Sequence, residues 1–374
     1  MKIAIVGGGI GGLTAAALLH EQDHEVHVFE QQEEIKEVGA GIGIGGNVLE
    51  KLGNHYMAKG IKNAGQVIKE MEILDDKGHT LNKAVMKKGT VNLTLARQTL
   101  IEIIASYVPD SVIHTGTKII NLVQNSSKVT LTTEQGEAHH FDLCIAADGL
   151  HSIIRQQVNP KAKVNYQGYT CFRGLVEDIS LTQQHTAKEY WGAKGRVGIV
   201  PLLNNKAYWF IAVNAKQGDP KFKDFTKPYI QAYYNHYPNE VRRILDQQSE
   251  TGIIRHDIYD LTPMQSFVYG RTLLLGDAAH ATTPNMGQGA GQAMEDAIVL
   301  TNCLSKYDFR EALSRYDALR VKHTGKVIKR SRSIGKKAQY QNGLMIGLRN
   351  FVLKRIPSKL ISNQAKFLYK TKAE

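Results

Sequence analysis

Three carboxylates each follow a short strand-like run, and two of them, Asp148 and Asp277, stand beside residues with little or no side chain: Glu30 after 25–29, Asp148 after 141–146 and Asp277 after 273–275. In open α/β sheets, ligands bind beyond the carboxyl ends of the strands, where such a group can accept hydrogen bonds from a ribose. The first acid comes with a second signal. GGGIGG places Gly7, Gly9 and Gly12 in the spacing GxGxxG, where the first glycine permits the turn, the second lets a pyrophosphate approach and the third packs helix on strand. The apolar strand 2–6 before it, the alanine- and leucine-rich helix after it and Glu30 about twenty residues on complete a dinucleotide-binding unit. That unit serves NAD and FAD equally.

Around Asp277 the chain reads GDAAHATTPNMGQGAGQAMEDA. Gly287, Gly289 and Gly291 let backbone come close to a flat ligand, and amides at the start of the following helix can face an anionic or electron-rich group. Asp148 opens a third segment, ADGLHSIIR, with Gly149, Ser152 and Arg155. Arg97 starts the expected helix 96–107, where a cation opposes the helix dipole; its charge answers a phosphate or is simply solvated. A further glycine-rich stretch from Gly39 runs into a helix that Asn47 is placed to cap.

These residues need elements to hold them. The runs 66–74 and 80–86 around the Gly78 turn predict a hairpin, and 111–116, 118–124 and 128–133 predict strands. Over 166–254 the βαβ rhythm gives way to alternating, aromatic-rich strands, a mostly antiparallel sheet with helices at 228–237 and 238–246 that can wall a cavity. Helices follow to about 304 and over 309–333, then a tail, 344–369, of mixed apolar and basic residues. The expected fold is therefore α/β: a Rossmann-like nucleotide domain from 1–73, 92–165 and 255–325, a mostly antiparallel substrate domain from 74–91 and 166–254, and a C-terminal helical segment, 326–374.

The 374 residues, 42% hydrophobic and 22% charged, suit a folded protein with a sizeable core. The formal charge of +12 lies late in the sequence. No basic groove interleaved with stacking aromatics accompanies it, which speaks against nucleic acid. Cys144, Cys171 and Cys303 are far apart and form no metal-binding spacing, so reduced thiols, no metal and a cytoplasmic setting are expected. No apolar run reaches a membrane-spanning length, so no stable membrane insertion is expected. Against this, the basic tail leaves surface contact with a membrane as a second reading beside packing on the body.

GGGIGG, ADGLHSIIR and LLLGDAAHATTPNMGQGAGQAMEDA, in this order and spacing, resemble the single-component (class A) FAD-dependent monooxygenases, the family of para-hydroxybenzoate and salicylate hydroxylases, over nearly the whole chain. Within it the likeness is greatest to the bacterial FAD-dependent urate hydroxylase branch. The resemblance implies a para-hydroxybenzoate hydroxylase-like fold, FAD as cofactor and NADH or NADPH as a transient electron donor without a Rossmann domain of its own. By the same resemblance, Gly7, Gly9, Gly11, Gly12, Glu30 and Gln31 hold the adenosine diphosphate part. Gly43, Arg97, Ile119, Asp148, Gly149 and Asp277 serve the rest of the cofactor, and Pro284, Gly287, Gln288, Gly289 and Ala290 lie beside its ring. Arg196 and Tyr208, in GRVGIVPLLNNKAY, match the branch's substrate-engaging arginine and tyrosine, whereas Cys171-Phe172-Arg173 departs from its asparagine- and tryptophan-containing segment.

Such an enzyme hydroxylates a small electron-rich aromatic or purine anion, urate among them, with O₂ through a flavin C4a-hydroperoxide. A cation such as Arg196 favours the more nucleophilic anion, and Tyr208 orients the ring or helps move a proton. The competing readings are a monooxygenase that modifies tetracycline-type antibiotics and a flavin-binding electron carrier that hydroxylates nothing.

Overall fold

The computed structural model describes residues 1–36, 40–86, 91–177, 179–181, 183–223, 225–357 and 366–369. Gly39, the expected start of the second glycine-rich stretch, lies outside them, as does part of the tail.

A six-stranded sheet runs in the order Val268–Tyr269, Thr272–Leu274, Leu143–Ala146, Lys2–Val6, Glu25–Phe29, Ile113–His114, and all its pairings are parallel except the first. Its central strands are apolar throughout because helices cover them; Ile10–His20 packs against both Arg97–Ala105 and Gly289–Lys306. Strand order matters more here than sequence order. It sets the ends of Thr272–Leu274, Leu143–Ala146, Lys2–Val6 and Glu25–Phe29 side by side, so the Asp277, Asp148, Gly7 and Glu30 turns share one edge of the sheet.

The second large sheet has the order Ile254–Leu261, Val164–Val176, Lys206–Asn214, Gly195–Leu202, Thr186–Gly192, Glu70–Asp75, Thr80–Val85. Only Thr186–Gly192 and Glu70–Asp75 pair parallel. The two-residue period divides its residues cleanly. One face, with Phe172, Val197, Ile199, Trp209, Ile211 and Val213, joins an apolar core completed by Ile230, Val241 and Ile244 of the helices Lys227–Tyr233 and Asn239–Gln247. Register puts Cys171, Arg173, Arg196, Tyr208 and Phe210 on the opposite face.

Several expected elements take another form. The run 66–74 is divided at Lys69: Gln66–Ile68 pairs with Asn92–Ala96 in a three-stranded sheet, while Glu70–Asp75 enters the seven-stranded one. The strand expected over 111–116 is a 3-10 turn, Asp110–Val112, followed by the two-residue strand Ile113–His114. The glycine-rich stretch contains a strand, Gly41–Ile44, antiparallel to Asn92–Ala96. The helix after it is Gly46–Leu52, and its N-cap is Gly45. Asn47 lies inside it, where its Nδ2 donates to the buried Glu295 Oε2 at 3.2 Å while its Oδ1 caps no backbone amide. The basic helix runs on to Ala338, and the tail forms the helix Gly343–Arg355.

Candidate active site

The first turn is held by contacts that only glycine allows. Gly7 has φ +108, and a Cβ there would lie 2.3 Å from the Ala147 carbonyl oxygen, at the start of the Asp148 turn. Gly9 is the N-cap of Ile10–His20. Gly11 is used for packing, with Leu275 and Ala293 against it, and Gly12 approaches the Gly7 carbonyl. Glu30 accepts the amides of Gly8 at 2.7 Å and Gln32 at 2.9 Å, which fixes its carboxylate beside the loop, and Gln31 is exposed.

The Asp148 and Asp277 turns are joined by Arg155, a residue whose role no local pattern reveals. Arg155, 1% exposed, donates to the carbonyls of Leu150 (2.6 Å), Ala278 (3.2 Å) and Gly149 (3.5 Å), so one guanidinium staples both loops. Burial works against its charge, and Asp148 and Asp277 oppose that loss. Ser152 caps the short helix Ile153–Val158 by accepting the Arg155 amide at 2.8 Å. Asp148 Oδ2 accepts the Ile154 amide, and its buried Oδ1 finds no partner within the described protein. Burial accordingly raises the Asp148 pKa. Asp277 is exposed.

Behind the Asp277 turn lies a dry ion network. Asp296 Oδ2 accepts the Gly276 amide at 2.9 Å and meets His280 Nε2 at 2.5 Å, while its Oδ1 accepts Arg320 Nε at 2.5 Å. Arg320 also donates to Glu295 at 2.8 Å, and Glu295 pairs with Lys51. Burial would raise the Asp296 pKa, but His280 and Arg320 outweigh it and bring it down to about 2. The i, i+3, i+4 spacing of Gln292, Glu295 and Asp296 was a visible hint of one polar helix face. Its partner, Arg320 in YDALR, was not recognisable from spacing alone.

The backbone from Pro284 onward is open. Pro284 and Gly287 are exposed, Gly287 has φ +59, and no heavy atom lies within 4 Å of a Cβ built at Gly287 or Gly289. Gln288 is the N-cap residue of Gly289–Lys306, which Ala290 continues. Gly43 faces this loop, its virtual Cβ 3.9 Å from the Gly287 oxygen. One residue pair along the same strand, Gly41 meets Tyr208: a Cβ would lie 2.5 Å from the Tyr208 Cβ. The strand Gly41–Ile44 thus runs between Tyr208 and the 287 loop.

Arg196, 1% exposed, pairs with Glu189 Oε2 at 3.4 Å and donates to Asn285 Oδ1, while its Nε has no partner among the described residues. Asn285 is itself fixed, donating to Thr283 Oγ1 at 2.7 Å and to the Ser331 carbonyl at 2.9 Å. The Arg196 guanidinium lies 6.0 Å from the Tyr169 ring and 5.7 Å from Phe210. Tyr208 remains partly accessible, yet burial of its phenol raises its pKa well above the ordinary value; Cys171 adds to the rise and Arg173 and Arg196 oppose it. Arg173, two positions from Cys171 on the same face, also has a buried Nε without a partner. Arg97 is the first residue of its helix, and its charge, with that of Arg173, reinforces the downward shift that burial imposes on His256. Ile119 begins the strand Ile119–Gln124 with its side chain in the core.

The open glycine backbone, the aligned acids and the orphaned Asp148 oxygen suit a dinucleotide with a flat ring. A family described as "FAD binding domain" matches residues 1–331. The chain belongs to that family, as a class A FAD-dependent monooxygenase. It is 31% identical over 365 residues to the Aurachin C monooxygenase/isomerase of Stigmatella aurantiaca, covering 96% of this chain and 95% of that protein. It is 29% identical to the FAD-dependent urate hydroxylase of Klebsiella pneumoniae, with 89% of each covered. The crystal structure of Klebsiella pneumoniae HpxO complexed with FAD and uric acid superposes with a TM-score of 0.91 at 25% identity, over 100% of this chain and 98% of that one. Salicylate hydroxylase, at 21% identity and a TM-score of 0.82, shares the fold.

FAD is therefore the cofactor of this class A monooxygenase. The electron-carrier reading falls with that assignment. Among the described residues no helix is long and apolar enough to cross a membrane.

Proposed function

We propose that this class A monooxygenase hydroxylates a small electron-rich aromatic or purine anion, held by Arg196 and Tyr208 over the loop 284–290. In the balanced reaction, substrate, O₂, NAD(P)H and a proton give hydroxylated substrate, water and NAD(P)⁺. Bound flavin supplies the transfer of electrons from NAD(P)H and the activation of oxygen.

The observation that carries the reading is the buried Arg196, with Nε unpartnered, on the sheet face that Tyr208 shares and that Gly41–Ile44 connects to the 287 loop. Glu189 and Asn285 fix the guanidinium, so its unpartnered Nε–H is oriented before substrate arrives. A cation fixed in a buried site favours the ionised, more nucleophilic form of a ring N–H or O–H. Tyr208, kept protonated by its surroundings, donates to the substrate and sets its orientation. Glu30, Asp148 and Asp277 would hold the hydroxyls of the cofactor, Arg97 its phosphate region, and the amides from Gly287 to Ala290 would line its ring and keep water from it.

The urate hydroxylase relative and the uric acid complex of HpxO support urate as a first candidate. Arg173 adds a second cation to the same face, which favours an anion with more than one acceptor group. The test is a screen of FAD-loaded protein with urate, phenolic acids, aurachin C and tetracyclines, following NADH and NADPH oxidation, peroxide release and ¹⁸O from ¹⁸O₂ in product. Label in product with substrate-stimulated oxidation is expected. Oxidation that no anion accelerates, with all oxygen released as peroxide, would remove the proposal.

A further inference from the structure

The helix Gly343–Arg355 is turned the wrong way for a helix that serves only to pack. Its outward positions are Leu344 (86% exposed), Met345, Leu348 (60%), Phe351 (53%) and Val352, spaced i, i+1, i+4, i+7, i+8 along one stripe. Inward, beside the half-buried Ile346 and Leu353, it is tied down by polar contacts. Arg349 is buried and donates to the carbonyls of Ala338 (3.3 Å) and Trp191 (3.2 Å), and Asn82 donates to those of Leu353 (2.6 Å) and Ile356 (2.9 Å). The helix is thus held to the edge strand Thr80–Val85 by hydrogen bonds, leaving its apolar side to something else.

The charge of the stretch of sequence that contains it says what that is. Residues 326–374 hold thirteen of the 47 Lys and Arg but one of the 35 acidic side chains, and no acid occurs between Asp317 and Glu374. The remainder of the chain, with 34 of each sign, is formally neutral, so the whole +12 belongs to this end. Exposed Lys336, Lys337, Lys354 and Arg355 lie at or near the two ends of the stripe, and the Arg355 guanidinium sits 3.4 Å from the Phe351 ring centroid. An aliphatic and aromatic strip with cations at its margin matches a bilayer surface, where side chains enter the acyl boundary and cations meet anionic headgroups. A second copy fits poorly, because a symmetric contact through this face would bring two strongly basic regions together. Nucleic acid would leave the aliphatic strip unused.

We infer that the helix Gly343–Arg355 docks the enzyme peripherally on anionic phospholipid, lying in the interface without crossing it. The test uses the full-length FAD-loaded protein, sedimented with vesicles of phosphatidylcholine alone or mixed with phosphatidylglycerol. Binding to the mixed vesicles is expected to exceed binding to phosphatidylcholine by at least about tenfold at low salt and to weaken as salt screens the headgroups. The double variant L348E/F351E should lose vesicle binding while keeping FAD and NAD(P)H oxidation, which shows that its fold is intact. The variant K354E/R355E should lose the preference for anionic vesicles. Failure of the wild-type protein to sediment with mixed vesicles overturns the inference, whether it is then a dimer that L348E/F351E dissociates or a monomer whose own chain covers the strip. Equal binding to both vesicle types overturns the anionic assignment.

Discussion

Arg196 of the seven-stranded sheet donates to Asn285, in the loop that opens at Pro284. The residue proposed to hold the substrate and the loop proposed to lie beside the flavin are therefore joined directly. Substrate placement depends on both sides of that bond.

Arg196→Ala should lower kcat/KM for the anionic substrate by about 100-fold while the protein stays yellow, since a fixed cation is lost but no cofactor contact is. Asn285→Ala removes a positioning residue and should cost about tenfold, mainly in KM. Steady-state rates at matched FAD occupancy measure both. Unchanged kcat/KM in Arg196→Ala would take this side chain out of the site.

Two variants test the cofactor edge. Asp277→Ala removes an exposed acceptor, and Arg155→Ala removes the staple between the Asp148 and Asp277 turns. Each should weaken FAD binding by about tenfold or more, the scale of one charge-assisted hydrogen bond. Flavin fluorescence titration of the apoprotein reads the change; full-strength binding in Asp277→Ala would refute its role.

Gly41→Ala should act through Tyr208. The added methyl would lie 2.5 Å from the Tyr208 Cβ and 2.7 Å from its Cγ, so the ring must move. A loss of about tenfold in kcat/KM is expected from such a displacement. In a Tyr208→Gly background, which lacks the Cβ as well as the ring, the same change should cost much less, and equal losses in both backgrounds would show that the glycine serves something else.

Acid sensitivity should trace in part to Asp296. Its folded pKa of about 2 lies below the ordinary 3.8, so the charged form is favoured in the folded state. The stability this contributes is present above pH 3.8 and is lost as pH falls towards 2. Asp296→Ala takes the buried carboxylate from His280 and leaves Arg320 only Glu295 as an acidic partner, and should destabilise by about 3–5 kcal/mol, with a shallower loss of stability across that acid window. Denaturant unfolding of the loaded protein at several pH values checks both.

Much of the nucleotide edge was legible because strand, glycine turn and acid are local signals: GGGIGG with Glu30, the Asp148 turn and the Asp277 turn each lie within a few residues of the strand that carries them. Their alignment on one sheet edge depends on strand order, which no local pattern encodes. The stapling role of Arg155 and the buried pairing of Arg320 were unreadable for the same reason, as partners of theirs sit 123 and 24 residues away in sequence. The division of 66–74 was hidden because both halves have strand-forming residues, and only the presence of two different partner strands separates them. Asn47 shows the opposite error: a good capping type sits inside its helix, the cap falling to Gly45, and its amide serves a buried acid.

That division has a mechanical result. Lys69 alone separates Gln66–Ile68 from Glu70–Asp75, and its amide and carbonyl are tied to His185 at 2.8 Å and Met86 at 2.8 Å. Thr94 adds a second tie, donating to the Pro201 carbonyl at 2.6 Å. The three-stranded layer and the large sheet are thus welded along one seam and travel together. Entry and exit of small molecules must then rely on motion elsewhere, on the side of the open glycine backbone rather than by parting these two layers.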